Sequence, residues 1–131
     1  MKIERELMRG AGPVAVLKML SRCEMYGYEL VEELSKRSAG VLEMGQSTLY
    51  PMLYNLEAKG LIAGSWRVEA NGRKRKYYAL TGKGKKRLAK DVKEWGAVVK
   101  AMVALGVIGG EWGGEGAAHG GVVLDGKAVP A

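Results

Sequence analysis

At 131 residues the chain has room for one domain with a tail, and its single cysteine excludes an internal disulfide. Lys and Arg number 21 against 14 Asp and Glu, a net charge of +7, and residues 1–108 hold 20 of the basic and 11 of the acidic side chains. That surplus points to a polyanion as partner, while the lack of an apolar run of about 18 residues or of a leader-like start sets the expectation of a cytoplasmic protein without a membrane partner.

The first segment, Glu4 to Leu20, mixes charges with apolar residues at helical spacing, and Leu7, Val14, Leu17, Met19 and Leu20 line one face of it. Gly10, Gly12 and Pro13 interrupt this pattern. Because proline inside a helix costs about 3 kcal/mol, the helix proper is expected to begin near Pro13, in its first turn. Cys23 is expected as a buried or half-buried thiol. Tyr26 to Ser38 reads as a second helix burying Gly27, Leu30 and Leu34 and ending at Ser38-Ala39-Gly40.

A third helix is expected from about Ser47 to Lys59, with Gln46 or Ser47 at the N-cap and Gly60 just past the end. Leu49, Leu53 and Leu56 form its buried stripe. Ser47, Thr48, Tyr50, Pro51, Tyr54 and Asn55 are left on other faces, and Pro51 is placed in about the first turn, where amides lack partners. Then the period changes. Residues 61–68 and 75–80 read as strands around Glu69-Ala70-Asn71-Gly72, a turn with the Asn-Gly signature. A two-stranded hairpin is marginal alone, so it must pack on the helices.

Thr81 is the expected cap of a last, long helix. Within it Leu88, Val92, Trp95, Val99 and Met102 recur at the 4–3 spacing of a coiled-coil seam, and a second copy of the chain is the natural occupant of that seam. From Gly109 onward eight of 23 residues are glycine, which reads as a flexible tail. The expected organisation is therefore a domain of three helices and a hairpin over 1–80, a dimerisation helix over 81–108 and a flexible tail over 109–131.

Three helices followed by a two-stranded wing is the order of a winged helix-turn-helix, a mainly α (α+β) fold. Such a unit lays its second helix-turn-helix element in the major groove of double-stranded DNA, with residues near that helix's amino end on the bases. Gln46, Ser47 and Thr48 offer short polar groups there, free amides can hold a phosphate, and Tyr50 and Tyr54 bring hydroxyls on stiff rings. Arg73, Lys74, Arg75 and Lys76 follow the turn of the wing. Strand alternation sends two of the four to each side, and about two of them are expected on phosphates, which position the protein without specifying sequence. One of Tyr77 and Tyr78 is expected to pack rather than to touch DNA. The only histidine, His119, lies in the tail, with no Ser–His–acid set, no Cys/His cluster and no phosphate loop in a strand–loop–helix setting. No catalysis, metal or cofactor is implied.

Tyr26-Gly27-Tyr28-Glu29-Leu30, Thr48-Leu49-Tyr50-Pro51 with Leu56-Glu57, Lys59-Gly60-Leu61-Ile62, and the block Gly72 to Thr81 stand in the order in which the chain resembles the PadR family of transcriptional regulators. The resemblance covers about residues 4–106. It implies a homodimer held largely by the last helix, acting usually as a repressor on a near-palindromic operator, and the single C-terminal helix looks like the small subclass. In some multidrug-sensing members a tryptophan of this helix pairs with its dimer mate and sandwiches a flat aromatic ligand. Trp95 stands at the matching position, and Val99 and Met8 are the side chains expected beside a small aromatic effector. Gly12-Pro13 departs from the family's usual first helix. The competing reading is a winged-helix module for RNA or protein, without a small-molecule effector.

Overall fold

A computed structural model describes residues 1–109 and the backbone of the pairs 123–124 and 127–128. In chain order the elements are α1 (Arg5–Arg22), β1 (Met25–Tyr26), α2 (Gly27–Arg37), α3 (Gln46–Ala58), β2 (Ile62–Val68), β3 (Lys74–Leu80), α4 (Gly82–Ala104), β4 (Val123–Leu124) and β5 (Lys127–Ala128). The chain forms two compact units, Met1–Ala89 and Lys90–Ala131. Among the described residues no helix is long and apolar enough to cross a membrane.

α1 does not wait for Pro13. It starts at Arg5 and carries the proline in its interior. The missing amide leaves the Arg9 carbonyl without its helical donor, at a residue that is exposed. Burial explains why the helix tolerates it: Met8 and Gly12 before the proline, and Val16, Leu17, Met19 and Leu20 after it, all lie inside. Leu17, Met19 and Leu20 are buried as expected and Val14 packs partly against the core, but Leu7 stands in solvent and Met8 takes the inner position in its place. Cys23, expected to be at least half-buried, is exposed just past the helix end.

The sheet has three strands where two were foreseen, in the order β1-β3-β2 with both pairings antiparallel. β1 is only Met25 opposite Tyr78 and Tyr26 opposite Tyr77, too short for an alternating pattern to reveal it. At the wing tip the Gly72 amide donates to the Glu69 carbonyl at 2.9 Å and the Glu69 amide to the Arg73 carbonyl at 2.7 Å. Gly72, at φ +84°, is the one residue of this loop in left-handed conformation, so the turn is a type I turn with a glycine bulge rather than a tight Asn-Gly turn.

α3 begins one residue earlier than expected, with Gly45 as its N-cap. Pro51 therefore falls in the second turn and removes the donor from the carbonyl of Ser47, an exposed residue. At the other end Gly60 adopts φ +74°, its amide donating to the Glu57 carbonyl and the Leu61 amide to that of Leu56, which closes the helix. Thr81 caps α4 through its hydroxyl, which accepts the Gly84 amide at 3.0 Å.

One cluster forms the core of the first unit. Val16, Leu30, Leu49 and Leu53 have no exposed surface, and Met8, Met44, Leu56, Leu61, Ile62, Tyr78 and Leu88 close around them. The start of α4 presses so tightly on the backbone just before β2 that a Cβ on Gly84 would lie 2.0 Å from the Leu61 carbonyl oxygen. Of the expected tail, Gly109 and the β4–β5 pairing of Val123 with Ala128 and Leu124 with Lys127 are described. Trp112 and His119 lie outside the described residues.

Gly84→Ala is expected to destabilise the chain by about 1–3 kcal/mol, because rigid backbone must move to admit the methyl group. Gly10→Ala, on an open helix surface, is expected to stabilise it by about 0.5–1 kcal/mol. Urea unfolding of the two variants checks the contrast, and equal effects would contradict it.

Candidate nucleic-acid interface

Leu49, Leu53 and Leu56 bury one side of α3, and 3.6-residue periodicity then turns Ser47, Pro51, Tyr54 and Asn55 outward. Gln46, Ser47, Thr48, Tyr50, Pro51 and Tyr54 are all exposed, and Tyr54, at 73%, is more so than Tyr50. Tyr50 stands at the edge of this surface with its ring over α2: a Cβ on Gly27 would lie 2.4 Å from the Tyr50 hydroxyl oxygen. The glycine therefore seats a tyrosine of α3. No side chain caps the amino end. Among the described residues the amides of Gln46 and Ser47 have no acceptor, while those of Thr48 and Leu49 reach the Gly45 carbonyl. With no acidic residue in its first turn, this end of α3 presents free donors and the positive end of the helix dipole.

The wing divides its cations along the strand as well as between its faces. Arg73 and Lys74, at the tip, are exposed, and among the described residues their side chains have no hydrogen-bond or ion-pair partner. Arg75 and Lys76, closer to the core, are held internally. Arg75 lies 3.9 Å from Glu69 with its guanidinium 4.5 Å above the Tyr26 ring. Lys76 donates to Glu57 Oε1 at 3.0 Å, with the Tyr78 ring beside it. The other oxygen of Glu57 accepts the Gly64 amide at 3.3 Å. A Cβ on Gly64 would strike the Lys76 stem, so this glycine lets Lys76 cross β2 to reach α3.

Lys76 stays charged to higher pH than a free lysine, chiefly through its hydrogen bond to Glu57. On the opposite face Tyr26 and Tyr77 meet edge to face, 5.4 Å between centroids, and Arg67 lies over Tyr77 while pairing with Glu24. The Tyr77 hydroxyl donates to Glu69 at 2.6 Å, and that bond raises its pKa; burial does the same for Tyr78. Of the adjacent tyrosines, Tyr78 is the packed one. Lys83, in the charge run that opens α4, donates to the Lys59 carbonyl at 2.9 Å and so neutralises the carboxyl end of α3.

The residues expected at a dimer seam do not share one environment. Leu88 is buried in the core of the first unit. In the second unit Val92 and Met102 are exposed, Trp95 is 39% exposed and Val99 half-buried, and Val98 and Leu105 extend the apolar surface of the helix and its end. Met8 belongs to the core cluster of the first unit. Two side chains that the strand pattern did not single out, Trp66 and Val68, stand two-thirds exposed on the wing. Their shared face was readable from their spacing, but not that the core stops short of them.

A helix with a bare amino end, seated on a second helix and flanked by a hairpin carrying free cations, defines a winged helix-turn-helix protein. The model of the transcriptional regulator PadR-like family matches residues 16–90. The chain belongs to that family, whose members are transcription regulators and not enzymes. The transcriptional regulator Rv3488 of Mycobacterium tuberculosis is 37% identical over 87 residues, covering 66% of this chain and 78% of the relative. The crystal structure of a PadR-like transcriptional regulator from Bacillus cereus superposes with a TM-score of 0.67 at 31% identity, over 76% of this chain and 95% of that one. Bacillus subtilis PadR in complex with operator DNA gives 0.58 at 26% identity, over 63% of this chain and 46% of that longer protein.

The raised pKa values of Tyr77 and Tyr78 fix a direction for alkaline stability. A phenol that holds its proton longer folded than unfolded lends stability below about pH 10, lost as pH rises through the folded value. Lys76 adds a loss of the same sign. The melting temperature is expected to fall above about pH 10, and Tyr77→Phe to make that fall shallower. Melting curves with tyrosinate absorbance from pH 9 to 12 check this.

Proposed function

We propose that the chain is a homodimeric repressor that binds near-palindromic double-stranded DNA. The bare amino end of α3 reads base edges, and Arg73 and Lys74 grip the flanking phosphates. The observation that carries this reading is the pairing of unoccupied Gln46 and Ser47 amides and exposed Ser47, Thr48 and Tyr54 on α3 with unpartnered cations at the wing tip. The DNA complex of the Bacillus subtilis neighbour lends it support. In this reading residues 1–80 bind DNA, Arg75 and Lys76 shape the wing, and Tyr50 and Pro51 shape the surface that Gln46 and Thr48 present.

Dimerisation is assigned to α4 through Val92, Trp95, Val99 and Met102. Val92, Trp95 and Met102, exposed at seam spacing around the half-buried Val99, support a partner helix, and a second copy satisfies the two-fold symmetry of a palindromic site. The effector in this proposal is a flat aromatic molecule stacked on Trp95 beside Val99, which releases the DNA by favouring a different dimer geometry.

Duplex carrying the gene's own upstream region is expected to bind more tightly than scrambled duplex or RNA. Equal affinity for all three would favour the RNA- or protein-module reading. Arg73→Ala and Lys74→Ala should each weaken binding on every duplex and reduce the salt slope by about 0.9. Thr48→Ala or Gln46→Ala should instead change discrimination between sites, by about 1–3 kcal/mol if a bidentate base contact is lost. Fluorescence anisotropy across a salt series separates the two roles.

Val99→Glu is expected to convert a dimer to a monomer in light scattering, because it places a charge in the apolar seam. With Trp66 and Trp112 replaced by Phe, planar aromatic cations or phenolic acids are expected to quench Trp95. A monomeric parent protein, or no quenching across the panel, would remove the seam or the effector respectively.

A further inference from the structure

The wing carries an apolar surface that the contacts assigned above leave unused. In β2, Ile62, Gly64, Trp66 and Val68 point to one face, and across the ladder Trp66 is paired with Lys76 and Val68 with Lys74. At the base of the wing this face is the inner one: Ile62 and Tyr78 are buried, and Glu57 of α3 reaches Gly64 and Lys76 from it. Further out α3 has ended but the strands continue. Trp66 and Val68 are each 67% exposed there, and a shallow depression runs between Trp66, Arg67, Val68 and Lys74. The overhang is therefore a column of two apolar side chains beside a column of two lysines, on the side of the sheet where α3 lies.

Size and charge decide what covers it. The exposed part of these two side chains amounts to roughly 250 Å², whereas a stable protein partner covers about 800 Å² on each side. The patch is too small for an ordinary protein interface, and its cationic flank is poorly suited to a second copy of a basic chain. A nucleic-acid strand offers the complementary pattern, with apolar sugar faces alternating with phosphates along one wall of a groove. We infer that Trp66 and Val68 pack against the deoxyribose wall of the duplex flanking the α3 contact, with Lys74 on the adjoining phosphate. The inference rests on the DNA-binding reading given above. It assigns to the wing an apolar, sequence-independent part of the affinity besides its charge. The indole N–H of Trp66 adds a donor for a phosphate oxygen at the edge of the same contact.

The test is anisotropy of labelled duplexes, upstream and scrambled, from low to physiological salt, with the full chain. Trp66→Ala is expected to weaken binding roughly tenfold, by the same factor on both duplexes, since apolar area rather than base reading is lost. Its salt slope should equal that of the parent, because no counterion release is lost, whereas Lys74→Ala should reduce the slope by about 0.9. Trp66→Phe and Val68→Ser should give smaller losses in the same pattern. Unfolding midpoints close to the parent's are expected for these surface changes.

Parent-like affinity in both Trp66→Ala and Val68→Ser overturns the inference and leaves the DNA reading standing. So does a loss confined to the upstream duplex, which would make Trp66 a base reader, or a loss with a reduced salt slope, which would make the contact electrostatic. If the parent protein binds neither duplex, the DNA reading falls and this inference falls with it.

Discussion

Glu57 accepts the Lys76 ammonium on one oxygen and the Gly64 amide on the other, so a single side chain in the last turn of α3 holds both strands of the wing. As a half-exposed ion pair it adds little to stability, on the order of 1 kcal/mol or less. Its importance is geometric. The leucine stripe of α3 fixes which side of the helix faces the core, but a greasy contact leaves rotation and sliding loosely specified. A charge-assisted bond at 3.0 Å to a strand already in register specifies both. That contact, with the Gly60 turn that joins α3 to β2, holds the surface on α3 beside the wing.

Glycines make the contact reachable. Gly64 clears the path of Lys76, Gly27 clears a seat for Tyr50, and Gly84 admits α4 against the Leu61 carbonyl. In each place a missing methyl group lets two elements approach more closely than side chains allow. The run Arg73 to Lys76 is similarly divided by its surroundings. Four cations in sequence become two at a free tip and two held against acids and aromatic rings, because only the inner pair lies within reach of Glu57 and Glu69.

Much of this was legible in the sequence. The periodicity of Leu49, Leu53 and Leu56, the Gly60 stop and the change of period at Leu61 located the helix and the hairpin to within a residue or two. Local rules failed where distant packing overrode them. Proline chemistry alone argued that α1 starts at Pro13, yet buried residues on both sides extend the helix to Arg5. Strand β1 was invisible because a two-residue strand exists only by virtue of Tyr77 and Tyr78 opposite it. Leu88 carried the spacing of the seam but belongs to the core, since periodicity identifies an apolar face without saying what covers it. The fate of Arg75 and Lys76 depended on acids six to 19 positions away, which no local pattern connects.

The stack of Arg67, Tyr77, Tyr26 and Arg75 on the outer face of the wing bears on how quickly the protein finds its partner. Hairpins of this length are unstable alone, and a wing that ordered only on contact would add a conformational step to every encounter. Here aromatic rings, two arginines and the acids Glu24 and Glu69 brace the ribbon from outside, while Glu57 braces it from within. The backbone of the wing is set without a partner. On the proposed reading, association is then limited by diffusion and by the long-range pull of Arg73 and Lys74, and differences between one binding site and another fall on the lifetime of the complex.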